Sequence, residues 1–79
     1  MGGRLEVRVP DIGEEKIVLA ELLVHEGQSV AKEEELAILE TEKVAFSLPA
    51  PAAGRVQEIR KKVGDRVKPG DVVLVLHHD

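Results

Sequence analysis

Cysteine, tryptophan and tyrosine are absent from these 79 residues, and Phe46 is the sole aromatic. Without cysteine there can be no disulfide framework and no thiolate metal site. Without indole or phenol rings there is little material for stacking bases, sugars or flat cofactors. No apolar run approaches the roughly 20 residues of a membrane span, and no signal-peptide pattern opens the chain, so a membrane is not an expected partner. A basic face is missing as well. The net charge is −4, with eleven acids against five bases in residues 1–43 and four against six in residues 44–79. Phosphate binding needs such a face, so nucleic acid is not an expected partner either. The one basic cluster, Arg60-Lys61-Lys62, reads as a solvated strand edge blunted by charge. His25, His77 and His78 have no zinc-like spacing and complete no Ser-His-acid set. Ala53-Gly54 and Pro69-Gly70 read as turns and not as a phosphate loop. The residues thus point away from an enzyme with its own active site.

What the chain does have is aliphatic material. Apolar residues make up 43% of it, chiefly Val, Leu, Ala and Ile. Seventy-nine residues fit one domain and not two, so residues 1–79 are read as a single domain. A domain this small buries only about 60% of the surface its unfolded chain exposes, so the fold must be economical.

The most informative feature is an internal repeat. At an offset of 37, Leu19-Ala20-Glu21-Leu22 meets Val56-Gln57-Glu58-Ile59, Gly27 meets Gly64, and Val30 meets Val67. Leu36, Ile38 and Leu39 then meet Val73, Val75 and Leu76. Upstream, an offset of 39 sets Val7-Arg8-Val9-Pro10 against Phe46-Ser47-Leu48-Pro49, which implies a first-half loop two residues longer within Asp11 to Val18. The repeat resolves a local ambiguity. Ala31 to Ala37 is rich in helix formers, but its counterpart holds Pro69-Gly70, a type II turn signal, followed by the strand-like run Val72 to Leu76. Two halves of one symmetric fold share an architecture, so Glu35 to Glu40 is read as strand.

The expected fold is therefore all-β. Strands are expected near residues 5–9, 16–24, 28–31, 35–40, 45–48, 54–61, 65–68 and 72–77, as two four-strand halves around one core with a pseudo-two-fold axis. The three-residue spacing of Leu19 to Leu22 and of Val56 to Ile59 predicts a matched bulge. Gly27 and Gly64 are expected in turns at positive φ.

The junction between the halves reads Glu40-Thr41-Glu42-Lys43-Val44. Apolar strands run up to it and away from it, so it is expected to be a hairpin tip at the opposite end from the termini, with its central side chains in solvent. Most lysines are only solvated charges. Lys43 differs in standing at the centre of an internal duplication. A Schiff-base or general-base lysine needs burial or neighbouring cations, whereas Lys43 is flanked by Glu40 and Glu42. Modification by an outside enzyme is the chemistry left to it.

That segment, followed by Leu48-Pro49-Ala50-Pro51-Ala52-Ala53-Gly54 and preceded by Val9-Pro10-Asp11-Ile12-Gly13, resembles the lipoyl domain of 2-oxo acid dehydrogenase complexes. The similarity extends from Val9 to Leu76. The commonest form in that family has Asp before the lysine and Ala after it, so Glu42 and Val44 are mild departures. The resemblance implies a flattened barrel or sandwich of two four-stranded antiparallel sheets. It implies lipoic acid joined to Lys43 through an amide by a lipoate-attaching enzyme, with Glu40, Thr41, Glu42 and Val44 as recognition residues. The loop Asp11 to Lys16 would share in recognition, although Glu14-Glu15-Lys16 reads equally well as ordinary loop polarity. The implied partners are a thiamine-dependent 2-oxo acid dehydrogenase, an acyltransferase core in whose chain the domain would lie, and dihydrolipoamide dehydrogenase. The implied compartment is the bacterial cytoplasm or the mitochondrial matrix.

Two other readings compete. A biotin carrier shares the duplicated fold and the tip lysine, but its usual motif sets methionine on both sides, where this chain has Glu42 and Val44. An unmodified lipoyl-like interaction domain, such as those in membrane-fusion adaptors of efflux systems, would not need a lysine at this acidic tip.

Overall fold

Alternating apolar and polar residues, broken by turn-forming pairs, draw the chain into eight strands. The computed structural model describes residues 2–78. The strands are β1 (Gly3–Arg8), β2 (Ile17–Leu22), β3 (Ser29–Val30), β4 (Glu35–Glu40), β5 (Ala45–Pro49), β6 (Gly54–Ile59), β7 (Arg66–Val67) and β8 (Val72–His78). They form two four-stranded antiparallel sheets, ordered β1-β8-β6-β3 and β5-β4-β2-β7. All eight expected strands are present, each end within two residues of its expected position. The helix-forming residues before Leu36 do not prevail, because β4 is flanked by β5 and β2 and bonds to both. Tertiary pairing here overrides local propensity.

Replacing each strand of the first half by its counterpart four places on turns one sheet order into the other, which is the pseudo-two-fold symmetry in topological form. Neither half makes a sheet of its own. Each sheet takes two strands from each half, so the halves interleave. The matched bulge is present: the β2–β4 register shifts between Leu19 and Glu21, and the β6–β8 register shifts between Val56 and Glu58.

One part of the repeat needs correction. Leu5 pairs with Leu76 and Val7 with Leu74, whereas Phe46 pairs with Leu39 and Leu48 with Ala37. Given the offset of 37 between β4 and β8, Leu5 corresponds to Phe46 and Val7 to Leu48. The upstream offset is thus 41 and not 39, and the first-half loop is longer by four residues and not two. A two-residue slip keeps every side chain on its own face, so the apolar pattern alone does not distinguish these alignments.

Four turns share one design. His25-Glu26-Gly27-Gln28, Ala31-Lys32-Glu33-Glu34, Lys62-Val63-Gly64-Asp65 and Lys68-Pro69-Gly70-Asp71 are each closed by a bond from the fourth N–H to the first carbonyl, 3.0 to 3.2 Å long. In each, the fourth side chain accepts the first residue's N–H, at 2.9 to 3.2 Å. The third position has positive φ throughout, 90° at Gly27, 96° at Gly64 and 90° at Gly70. Glu33, at 72°, fills that place without being glycine.

The interior is aliphatic. Ile17, Leu19, Leu36, Leu39, Leu74 and Leu76 are fully enclosed, and among the described residues no polar or charged residue is buried. Titratable groups therefore lie at the surface. The outer face of the edge strand β1 carries Arg4, Glu6 and Arg8, linked by ion pairs that extend to Arg60. Such exposed pairs contribute little to stability but discourage edge pairing. The molecule is elongated, 40 × 19 × 19 Å. Gly3 pairs with His78 at one end, and the 41–44 connection stands at the other, beside Val18 and the loop before β2.

Candidate functional site

β4 and β5 leave their last pair at Glu40 and Ala45, so the chain must reverse within Thr41-Glu42-Lys43-Val44. The Thr41 N–H donates to the Val44 carbonyl at 2.8 Å. The Thr41 hydroxyl accepts the N–H groups of Lys43, at 3.2 Å, and Val44, at 3.1 Å. It also donates to the Val44 carbonyl at 3.2 Å. Glu42, Lys43 and Val44 are exposed and Thr41 is half-buried. Val44 is 53% exposed.

Lys43 thus projects from a two-residue turn whose flanking strand β4 lies inside a sheet. Among the described residues no carboxylate lies within ion-pair distance of its ammonium, so Glu40 and Glu42 contribute only a diffuse acidic field. The amine is accessible and its base is held by the hairpin, so an enzyme could approach it from several directions.

The tip is not isolated. An open groove of about 320 Å³ lies between Glu42 and Gly13-Glu14-Glu15-Lys16. A second, of about 280 Å³, adjoins it at Glu15 and is lined by Arg66, Val67, Lys68 and Asp71. The Asp11 carboxylate accepts the Gly13 N–H at 3.1 Å, shaping the loop locally. Glu40, Thr41, Glu42, Lys43 and Val44, together with the 13–16 loop, therefore share one end of the molecule. Arg66 and Lys68 belong to the same end, which the sequence reading missed. The repeat paired them with Ser29 and Ala31 but carried no information on where β7 would dock.

His25, His77 and His78 do not join this end. Among the described residues no group of three or more His, Cys, Asp or Glu is placed to hold a metal ion. The basic cluster is engaged locally: Arg60 pairs with Glu58 at 3.0 Å and Lys61 with Asp71 at 3.9 Å. Among the described residues no helix is long and apolar enough to cross a membrane.

The Biotin_lipoyl family, described as "Biotin-requiring enzyme", matches residues 5–76. The chain is 44% identical over 70 residues to the dihydrolipoyllysine-residue acetyltransferase component of the pyruvate dehydrogenase complex of Pseudomonas aeruginosa, covering 89% of this chain and 13% of that protein. It is 37% identical to the component of the same name from Haemophilus influenzae, over 90% of this chain and 12% of the relative. The chain therefore spans about an eighth of the length of these relatives. Among solved structures, a single-chain, multi-domain long-chain acyl-CoA carboxylase matches with a TM-score of 0.79 at 27% identity, over 92% of this chain and 7% of that one. The urea carboxylase of Kluyveromyces lactis matches with a TM-score of 0.80 at 24% identity, over 94% of this chain and 6% of that one, a likeness of fold.

Proposed function

This chain belongs to the Biotin_lipoyl family, and from that premise we propose that it is a lipoyl carrier domain in which lipoic acid is amide-linked to Nζ of Lys43. The observation that carries the reading is the lysine itself. It is exposed and, among the described residues, free of ion pairs, and it stands at the turn that joins the two halves of a duplicated fold. Attachment needs only that Nζ, once deprotonated, attack the carbonyl of an activated lipoyl group supplied by the attaching enzyme. The C–N bond forms as the activating group leaves.

The domain's own contribution is then mechanical. It holds the arm away from its core and delivers it to successive active sites at high effective concentration. The arm's dithiolane would accept an acyl group from a thiamine-dependent 2-oxo acid dehydrogenase and pass it to coenzyme A at an acyltransferase core. Dihydrolipoamide dehydrogenase would then reoxidise it. A chain without cysteine suits that role, since the redox sulfur arrives with the cofactor. The relatives named for the pyruvate dehydrogenase complex favour pyruvate as the 2-oxo acid and a place within a longer acyltransferase chain. The groove beside Glu42 and the Gly13–Lys16 loop would be read by those partners.

A second reading, biotin on the same lysine, is favoured by the family's description and by the two carboxylase structures. Against it, the residues flanking Lys43 are Glu42 and Val44 and not methionine.

Intact mass after co-expression with a lipoate ligase, and in parallel with a biotin ligase, separates these readings. One lipoyl increment, absent from Lys43→Arg, is the expected result. A biotinyl increment in its place would transfer the assignment to biotin. If neither appears under conditions that modify control domains, an unmodified interaction domain becomes the better account.

A further inference from the structure

The turn that presents Lys43 is of a kind that should not close well. Two-residue hairpin loops favour types I′ and II′, whose positive φ values match the twist of the flanking strands. Types I and II splay those strands apart. Here neither Glu42 nor Lys43 has positive φ. The Thr41 N–H bonds to the Val44 carbonyl at 2.8 Å, but the reciprocal bond from the Val44 N–H to the Thr41 carbonyl is not made. The Val44 N–H donates to the Thr41 hydroxyl at 3.1 Å, and the Lys43 N–H donates to the same oxygen at 3.2 Å. The hydroxyl proton is given to the Val44 carbonyl at 3.2 Å. A threonine hydroxyl has one proton and two lone pairs. All three are used inside the turn, which leaves none for a partner protein.

We infer that Thr41 is the positioning residue of the attachment site. Its hydroxyl stands in for the missing bond from the Val44 N–H to the Thr41 carbonyl, fixes the Lys43 and Val44 amides, and so sets the direction in which the lysine stem leaves the hairpin. This rests on the reading of Lys43 as the point of attachment, and it moves Thr41 from direct recognition to support of the lysine. The arrangement has a chemical rationale. A type I′ turn would call for Asn-Gly or Gly-Gly at positions 42 and 43, which would leave no room for the lysine. Closing the turn through a side chain lets two ordinary L-residues occupy its centre. Threonine suits the task further because its β-branch restricts χ1 and keeps the hydroxyl over the turn.

The test compares wild type, Thr41→Val and Thr41→Ser. Valine keeps the shape and removes the hydroxyl; serine keeps the hydroxyl. Amide hydrogen exchange of Lys43 and Val44 is measured on the unmodified chain, and kcat/KM for lipoylation is measured with a lipoate ligase and supplied lipoate. In Thr41→Val both amides should exchange on the order of tenfold faster, with the Leu39 and Leu74 amides unchanged, and kcat/KM should fall by a similar factor. Thr41→Ser should restore both. Wild-type exchange in Thr41→Val would overturn the inference. So would a fall in kcat/KM without faster exchange, since it would mean that the attaching enzyme contacts the hydroxyl directly. A wild-type chain that accepts no lipoate would overturn the attachment reading and the positioning role with it. Amide exchange, which needs no lipoate, tells that failure from a failed lock.

Discussion

Replacing Glu33 by glycine should make this protein more stable. Glu33 holds φ of 72°, while the third position of the three sister turns is Gly27, Gly64 or Gly70. The left-handed conformation costs an L-residue about 1–2 kcal/mol. Glycine loses more conformational entropy on folding, which takes back about 0.5–1 kcal/mol. The Glu33 N–H bond to the Ala50 carbonyl, 2.8 Å, belongs to the backbone and survives the change. The N–H of Ala31 is capped by Glu34 and not by Glu33, so that cap survives as well. A net gain of about 0.5–1 kcal/mol remains, or roughly 2–8 °C in Tm for a domain of this size. With no Trp or Tyr, the assay is far-ultraviolet circular dichroism or calorimetry and not fluorescence. Glu33→Gln isolates the electrostatic relief of thinning the Glu33-Glu34-Glu35 run. Gly70→Ala runs the experiment backwards in the equivalent turn, where an added Cβ meets nothing within 4 Å. It should cost about 1 kcal/mol through backbone strain alone. A Glu33→Gly protein no more stable than wild type, with Gly70→Ala neutral, would refute the idea that these turns are governed by φ.

Two further substitutions probe the scaffold away from the tip. A Cβ at position 54 would lie 2.7 Å from the His77 carbonyl oxygen, so Gly54→Ala should cost about 2 kcal/mol in a urea melt. Wild-type stability there would mean that the end of β8 can move aside. Leu74 is fully buried at the centre of its sheet, and Leu74→Ala should cost about 2–5 kcal/mol, a large share of what a small domain has. Loss of dispersion in the amide NMR spectrum or a much lower urea midpoint would confirm this, and an unchanged midpoint would refute it.

The prominence of Lys43 was legible in the sequence because it follows from symmetry. Gly27 matches Gly64, and Leu36, Ile38 and Leu39 match Val73, Val75 and Leu76, so residues 41–44 had to be the joint between two like halves. Alternation gave the strand faces, glycines marked the reversals, and the three-residue spacing in β2 and β6 disclosed the paired bulges. These are short-range properties, written along the chain by side-chain period and backbone freedom. Other features were decided only when the strands met. The offset of 41 was hidden because a slip of two residues leaves the in-out pattern intact. The interleaving of the halves depends on which strands share their backbone donors and acceptors, and every strand carries the same ones. The grooves around Glu42 arise where β7 and the loop before β2 come beside the hairpin, a proximity without a local signature. The role of the Thr41 hydroxyl appeared only with the turn's own dihedrals, since a threonine before Glu-Lys reads the same whether its oxygen faces a partner or its own backbone.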